Sequence, residues 1–200
     1  VYSYSPIQHS GSSLNNKTAS SVCVARDGKL WIGTDGGGIN VFDKGKRVAV
    51  YKEETGDLTD NSIQAALCDS EGNLWFGSFM GGVDFYDVKK KSFHQIFPKD
   101  KTGEDVRALY EDAEYVWIGT SNGIYKVRLH DKGIADHYTV ENNLVRCISK
   151  DNLNRLWIGT FGGGLGVFDE HFQCVKLFNV TSFPLILSIL FIWIVRTECG

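Results

Sequence analysis

Short apolar runs separated by polar, glycine-bearing turns fill residues 17–178, and nowhere is a helical period sustained. The clearest runs are Leu30-Trp31-Ile32-Gly33-Thr34, Leu74-Trp75-Phe76-Gly77-Ser78, Val116-Trp117-Ile118-Gly119-Thr120 and Leu156-Trp157-Ile158-Gly159-Thr160. Trp31, Trp75, Trp117 and Trp157 follow one another at intervals of 44, 42 and 40 residues. Successive side chains of a strand point to opposite faces, so an unbroken apolar strand must be covered on both. A repeat of about 40–50 residues built from such strands predicts an all-β protein of four-stranded antiparallel propeller blades, each buried between two others.

The second repeat shows the parse most plainly. An inner strand is expected over Ile63 to Cys68, then a turn over Asp69 to Asn73. A second strand follows over Leu74 to Ser78, a turn at Met80-Gly81-Gly82, and a third strand over Val83 to Asp87. Val88 to Lys91 turns the chain again into an outer strand, Ser92 to Phe97. Ser21, Ala65, Ala108 and Cys147 occupy one matched position, as expected where inner strands crowd around an axis. The third repeat is the least regular: Ser121-Asn122-Gly123 is a shorter turn, and Arg128 stands where Asp43, Asp87 and Asp169 end the third strand elsewhere. Recurrence of those three Asp in register predicts a hydrogen-bonding role at the strand end.

The ends depart from the pattern. Residues 1–16 read as the end of a preceding blade, and residues 17–178 as four blades. Residues 179–200 form a hydrophobic tail in which Phe183 to Val195 is nearly all apolar yet shorter than a comfortable membrane span of about 20 residues. Shifted by two nucleotides, the codons of Trp193 and Ile194 encode Asp. Six codons later, Cys199 and Gly200 can encode Trp, the spacing of Asp69 to Trp75 and Asp151 to Trp157. The tail is therefore expected to be out of frame, with a further blade in the shifted frame.

Composition narrows the chemistry. Twenty-two Gly against 3 Pro suit many tight turns, and a net charge of −3 gives no basic footprint for nucleic acid. The five Cys show neither a CxxC pair nor zinc spacing, and read as small buried strand residues. His9, His94, His130, His137 and His171 do not cluster, so no metal is expected. Gly33 to Gly38 fits no phosphate-loop pattern and precedes a strand, and no cofactor is expected. Lys89-Lys90-Lys91 reads as a solvated turn. No convergent acids or histidines mark a catalytic centre.

The repeated order of inner strand, Asp-x-x-Gly/Asn-x-Leu-Trp-Ile-Gly-Thr, Gly-Gly and Val-Phe-Asp resembles the two-component regulator propeller repeat, in four copies over residues 17–178. That resemblance makes Trp31, Trp75, Trp117, Trp157, Gly33, Gly77, Gly119 and Gly159 structural residues of the repeat. It implies part of a seven-bladed ring in the periplasmic sensor of a hybrid histidine kinase anchored in the inner membrane. An oligosaccharide is then the expected small-molecule ligand, membrane contact comes only through other segments, and a dimer is an expected state of the full-length sensor. A protein-interaction scaffold is the alternative. Ligand contacts are expected from the polar loops Glu53 to Asn61, Lys99 to Asp105 and Val140 to Asn143, completed by loops of other blades. The chain alone is expected to show no measurable sugar binding.

Overall fold

The computed structural model describes residues 13–96, 105–140 and 144–178. Sixteen strands are formed among them, in four sheets of four. The first blade is β1 (Ala19–Val24), β2 (Leu30–Thr34), β3 (Gly38–Asp43) and β4 (Lys46–Tyr51). The second is β5 (Ile63–Cys68), β6 (Leu74–Ser78), β7 (Val83–Asp87) and β8 (Ser92–Gln95). The third is β9 (Val106–Asp112), β10 (Tyr115–Thr120), β11 (Gly123–Arg128) and β12 (Ile134–Tyr138), and the fourth is β13 (Val145–Lys150), β14 (Leu156–Thr160), β15 (Gly164–Phe168) and β16 (Cys174–Phe178). Each blade is an antiparallel meander in chain order. Among the described residues the one helical turn is Glu53–Thr55, closed by Gly56 in the left-handed region at φ 77°. Residues 1–12, most of the expected end of a preceding blade, and residues 179–200, the tail expected to be out of frame, lie outside the described residues. The chain divides into two compact units between Glu111 and Asp112.

Burial agrees with strands covered on both faces. All five residues of β6 are buried, and Trp75 is fully enclosed. In the first unit, Trp31 stacks on Tyr51 at 5.4 Å between ring centroids and meets Tyr86 at 4.8 Å and Phe76 at 5.9 Å. These rings belong to one cluster with Cys23, Ile39, Val41, Ile63 and Leu74, so the Trp of one blade is packed by the next blade's strands. In the second unit Trp117 lies parallel to Tyr138 and Phe172, and half-buried Trp157 to Phe178.

Gly33 and Gly77, two residues after Trp31 and Trp75, are required by close approach. A Cβ on Gly33 would lie 2.6 Å from the Ile63 Cγ2, and one on Gly77 would lie 2.5 Å from the Val106 Cγ1 and 2.9 Å from its carbonyl oxygen. Inner strands thus pass directly over the preceding blade's glycine. The matched small residues have a nearer explanation than an axis: Ser21, Ala65 and Cys147 pair across the sheet with Gly33, Gly77 and Gly159 of their own blades. In these three blades the register slips by one residue just before the small residue, between Ala19 and Ser21, Ile63 and Ala65, and Val145 and Cys147. Such a bulge re-aims the side chain it contains.

The cysteines are less uniform than their sequence suggests. Cys23 is buried and its thiol pKa is pushed up to about 12 by burial, whereas Cys174 is exposed on β16.

Candidate functional site

The turns that look alike in sequence are held by recurring side-chain bonds. In the first blade Asn15 donates its side-chain amide to the Gly37 carbonyl (2.6 Å) and accepts from the Asn40 amide (2.7 Å). In the second, the Thr59 hydroxyl donates to the Gly81 carbonyl (3.0 Å) and to the buried Asp84 carboxylate (2.9 Å), which also accepts the Thr59 N–H. Burial raises the Asp84 pKa to about 6, against the opposing effect of the Thr59 bonds. Asp60 accepts the N–H groups of Ser62 (2.9 Å) and Met80 (2.8 Å). Asn61 accepts the Glu53 N–H and donates to Glu54.

The loop Glu53 to Asn61 therefore spends its recurring polar residues on its own architecture. Leu58 in the same loop is buried in the core. Of the other two loops, Asp105 and Val140 are described, while residues 99–104 and 141–143 are not.

A second set of hydrogen bonds explains the Asp six residues before Trp. Asp69 accepts the Trp75 indole N–H (2.8 Å) and the Asn73 backbone N–H (2.7 Å), and Asp151 accepts the Trp157 indole N–H (2.8 Å) with the N–H groups of Leu153 and Arg155. With Arg155 also paired to it, Asp151 titrates at about 2. Asp87 and Asp169 hold the following turns by accepting backbone N–H groups, as their register implies. His94 and His137 are exposed on outer strands, and His137 stacks on Tyr125 at 4.1 Å.

The side chains not absorbed in this way lie one residue before the small residue of each inner strand, at the bulge in the first, second and fourth blades. The position before the small residue is Ser20, Gln64, Arg107 and Arg146 in the four inner strands, polar every time and of three kinds. Its neighbours on either side are apolar or small in every repeat. That contrast was visible in the sequence, but only the register shows why it matters.

In the first unit the Gln64 amide donates to the Ser62 hydroxyl (2.9 Å), and the Arg107 guanidinium donates to the Gln64 carbonyl oxygen (3.2 Å) and to Asp105 (2.6 Å). Ser62 in turn donates to Asp35. One hydrogen-bonded line therefore joins Asp35, Ser62, Gln64, Arg107 and Asp105. Beside it Phe79 lies under the guanidinium at 5.6 Å and is 43% exposed, and Met80 is 54% exposed. In the second unit Arg146 lies over exposed Phe161 at 5.3 Å.

The two component regulator propeller family matches residues 13–36, 57–80 and 139–162. Among solved structures, the extracellular domain of a hybrid two component system from B. thetaiotaomicron shares 46% identity at a TM-score of 0.81, covering 88% of this chain and 24% of its own. A further extracellular domain from that organism shares 20% identity at a TM-score of 0.74, over 89% of this chain and 27% of that one. Virginiamycin B lyase from Staphylococcus aureus shares 19% identity at a TM-score of 0.65, over 86% and 58%, a likeness of fold alone. No curated protein matches the chain. The chain spans about a quarter of the length of the extracellular domains it resembles. Its four-stranded blades, their spacing and the matched repeats make it a member of the two component regulator propeller family.

Proposed function

We propose that the chain is part of the extracytoplasmic, ligand-sensing propeller of a two-component signalling protein, and that its ligand is an oligosaccharide. The observation that carries the signalling reading is the 46% identity to an extracellular domain of a hybrid two component system over 88% of this chain. The sugar reading rests on side chains. The blades present hydroxyl, amide, carboxylate and guanidinium groups in one hydrogen-bonded line beside an exposed ring, which suits hydroxyl-rich ligands. Nothing in this set pairs a nucleophile with a base, so the chemistry is recognition.

Location is tested by protease treatment of intact cells, with digestion of the propeller expected before lysis. Ligand class is tested by calorimetry of the complete encoded protein against a glycan panel. Saturable binding of a glycan is the expected result. A complete protein that binds no glycan but captures a protein partner through the same residues would replace this reading with a scaffold.

A further inference from the structure

Resting on that reading, we infer that the first unit carries a neutral-sugar subsite built from Gln64, Arg107, Asp105, Ser62 and Asp35 with the Phe79 ring as its apolar wall. Three features point there. Gln64 sits at the register slip between Ile63 and Ala65 and is half-exposed, while both of those neighbours are buried. Phe79 stands at the turn after β6, at the position filled by Asp35 in the first blade, and is a large apolar group left 43% exposed. The groups in between form a mixed line of donors and acceptors, and sugar hydroxyls, which both donate and accept, can join such a line at many points.

The charge balance selects the ligand. Arg107 is already paired with Asp105, and Asp35 and Asp60 add two more carboxylates around the same turns. One guanidinium therefore stands among three carboxylates. A uronate would bring a further negative charge to a patch that is already negative, whereas vicinal hydroxyls of a neutral sugar can donate to Asp35 or Asp105 and accept from Arg107 or Gln64. A ring C–H face then lies against the open part of Phe79. All six residues belong to one unit. Against the expectation that the chain alone binds no sugar, the subsite should thus give weak, millimolar binding in the chain itself, within the reach of amide chemical shifts.

The test is an amide-shift titration of the 200-residue chain with neutral tetrasaccharides of glucose, xylose, mannose and fructose, and with tetragalacturonate. At least one neutral tetrasaccharide should move the Ser62, Gln64, Met80 and Arg107 signals, and tetragalacturonate should bind at least about tenfold more weakly. Phe79→Ala and Arg107→Met should each weaken the neutral sugar by about tenfold or more, with Arg107→Lys intermediate. Melting curves of each variant establish that it is folded, and Lys90→Ala should bind as the parent does.

Stronger binding of tetragalacturonate overturns the neutral-sugar assignment. Sugar-induced shifts that survive unchanged in Phe79→Ala and Arg107→Met place the subsite elsewhere, while the sugar-sensing reading stands. Binding of no glycan by either the chain or the complete protein removes both.

Discussion

The second and third blades solve one packing problem with different materials. In the second, Trp75 is pinned through its indole N–H to Asp69, and Asp69 is itself buried and closes the turn before β6. In the third, Glu111 stands six residues before Trp117 but reaches instead to the Ser70 N–H. The hairpin between β9 and β10 tightens through Ala113, at φ 49°. The buried Trp117 N–H then has no hydrogen-bond partner among the described residues, and Lys126, its cross-strand neighbour, lies over the ring at 5.1 Å. At the matched third-strand position the second blade buries Asp84 and the third buries Tyr125. The family match includes residues 57–80 but nothing from the third blade. The first blade, matched over residues 13–36, has Ala25 six residues before Trp31, so the sheet, its apolar filling and the match itself all survive without the Asp pin.

The largest effect should come from the filling that both blades share. Trp75→Ala should cost about 3–5 kcal/mol in denaturant unfolding, since it empties a fully enclosed site. A cost near that of a surface change would dissolve the packing account for either blade. The pins come next. Asp69→Ala should cost about 2–3 kcal/mol by stranding the buried indole and Asn73 N–H groups, whereas Glu111→Ala should cost less than about 1. Equal costs would erase the contrast between the two turns.

Asp84 gives a test that depends on pH. Its folded pKa of about 6 lies above the ordinary carboxylate value, so the fold favours the protonated form, and stability falls as pH rises from the unfolded value through 6. Asp84→Asn, the amide that the first blade carries as Asn40, should leave stability nearly unchanged at about pH 4 and raise it by about 1–2 kcal/mol above neutrality. A gain that is flat with pH, or a loss above neutrality, would show that Thr59 holds the carboxylate better than burial penalises it. A smaller effect is expected from Trp117→Phe, less than about 1.5 kcal/mol, because no hydrogen bond to the indole is given up. Lys90→Ala, at an exposed turn, should change the unfolding midpoint by less than about 0.5 kcal/mol and sets the floor for the series.

Much of the fold was legible because the repeat is written in large side chains. The expected limits of β5, β6 and β7 are the observed ones, and the apolar runs around all four Trp are strands. What eluded the sequence depends on register, which joins residues far apart. The small residues were placed by their size, yet only the pairing shows that they face the repeat's own glycines. The polar loop Glu53 to Asn61 drew attention as ligand-facing, but a Thr that binds Asp84 and an Asp that caps a turn look no different in sequence from groups free to meet a ligand. Gln64 and Arg107 were hidden for the opposite reason: one polar residue in an apolar strand reads as alternation until the bulge at Gln64 and its bond to Arg107 are seen.

The contact between a blade's glycine and the next inner strand has a consequence for how the protein is made. Ile63 and Val106, which seal Gly33 and Gly77, leave the ribosome about thirty residues after the glycines they cover. At roughly 5–20 residues per second, each newly made blade waits a few seconds with one side open before its successor's first strand arrives. Translation pauses within that interval would prolong the exposure of Trp31 and its neighbours. The codons being read while the segments between Gly33 and Ile63, and between Gly77 and Val106, emerge from the ribosome are therefore where synonymous changes should most affect the yield of folded protein.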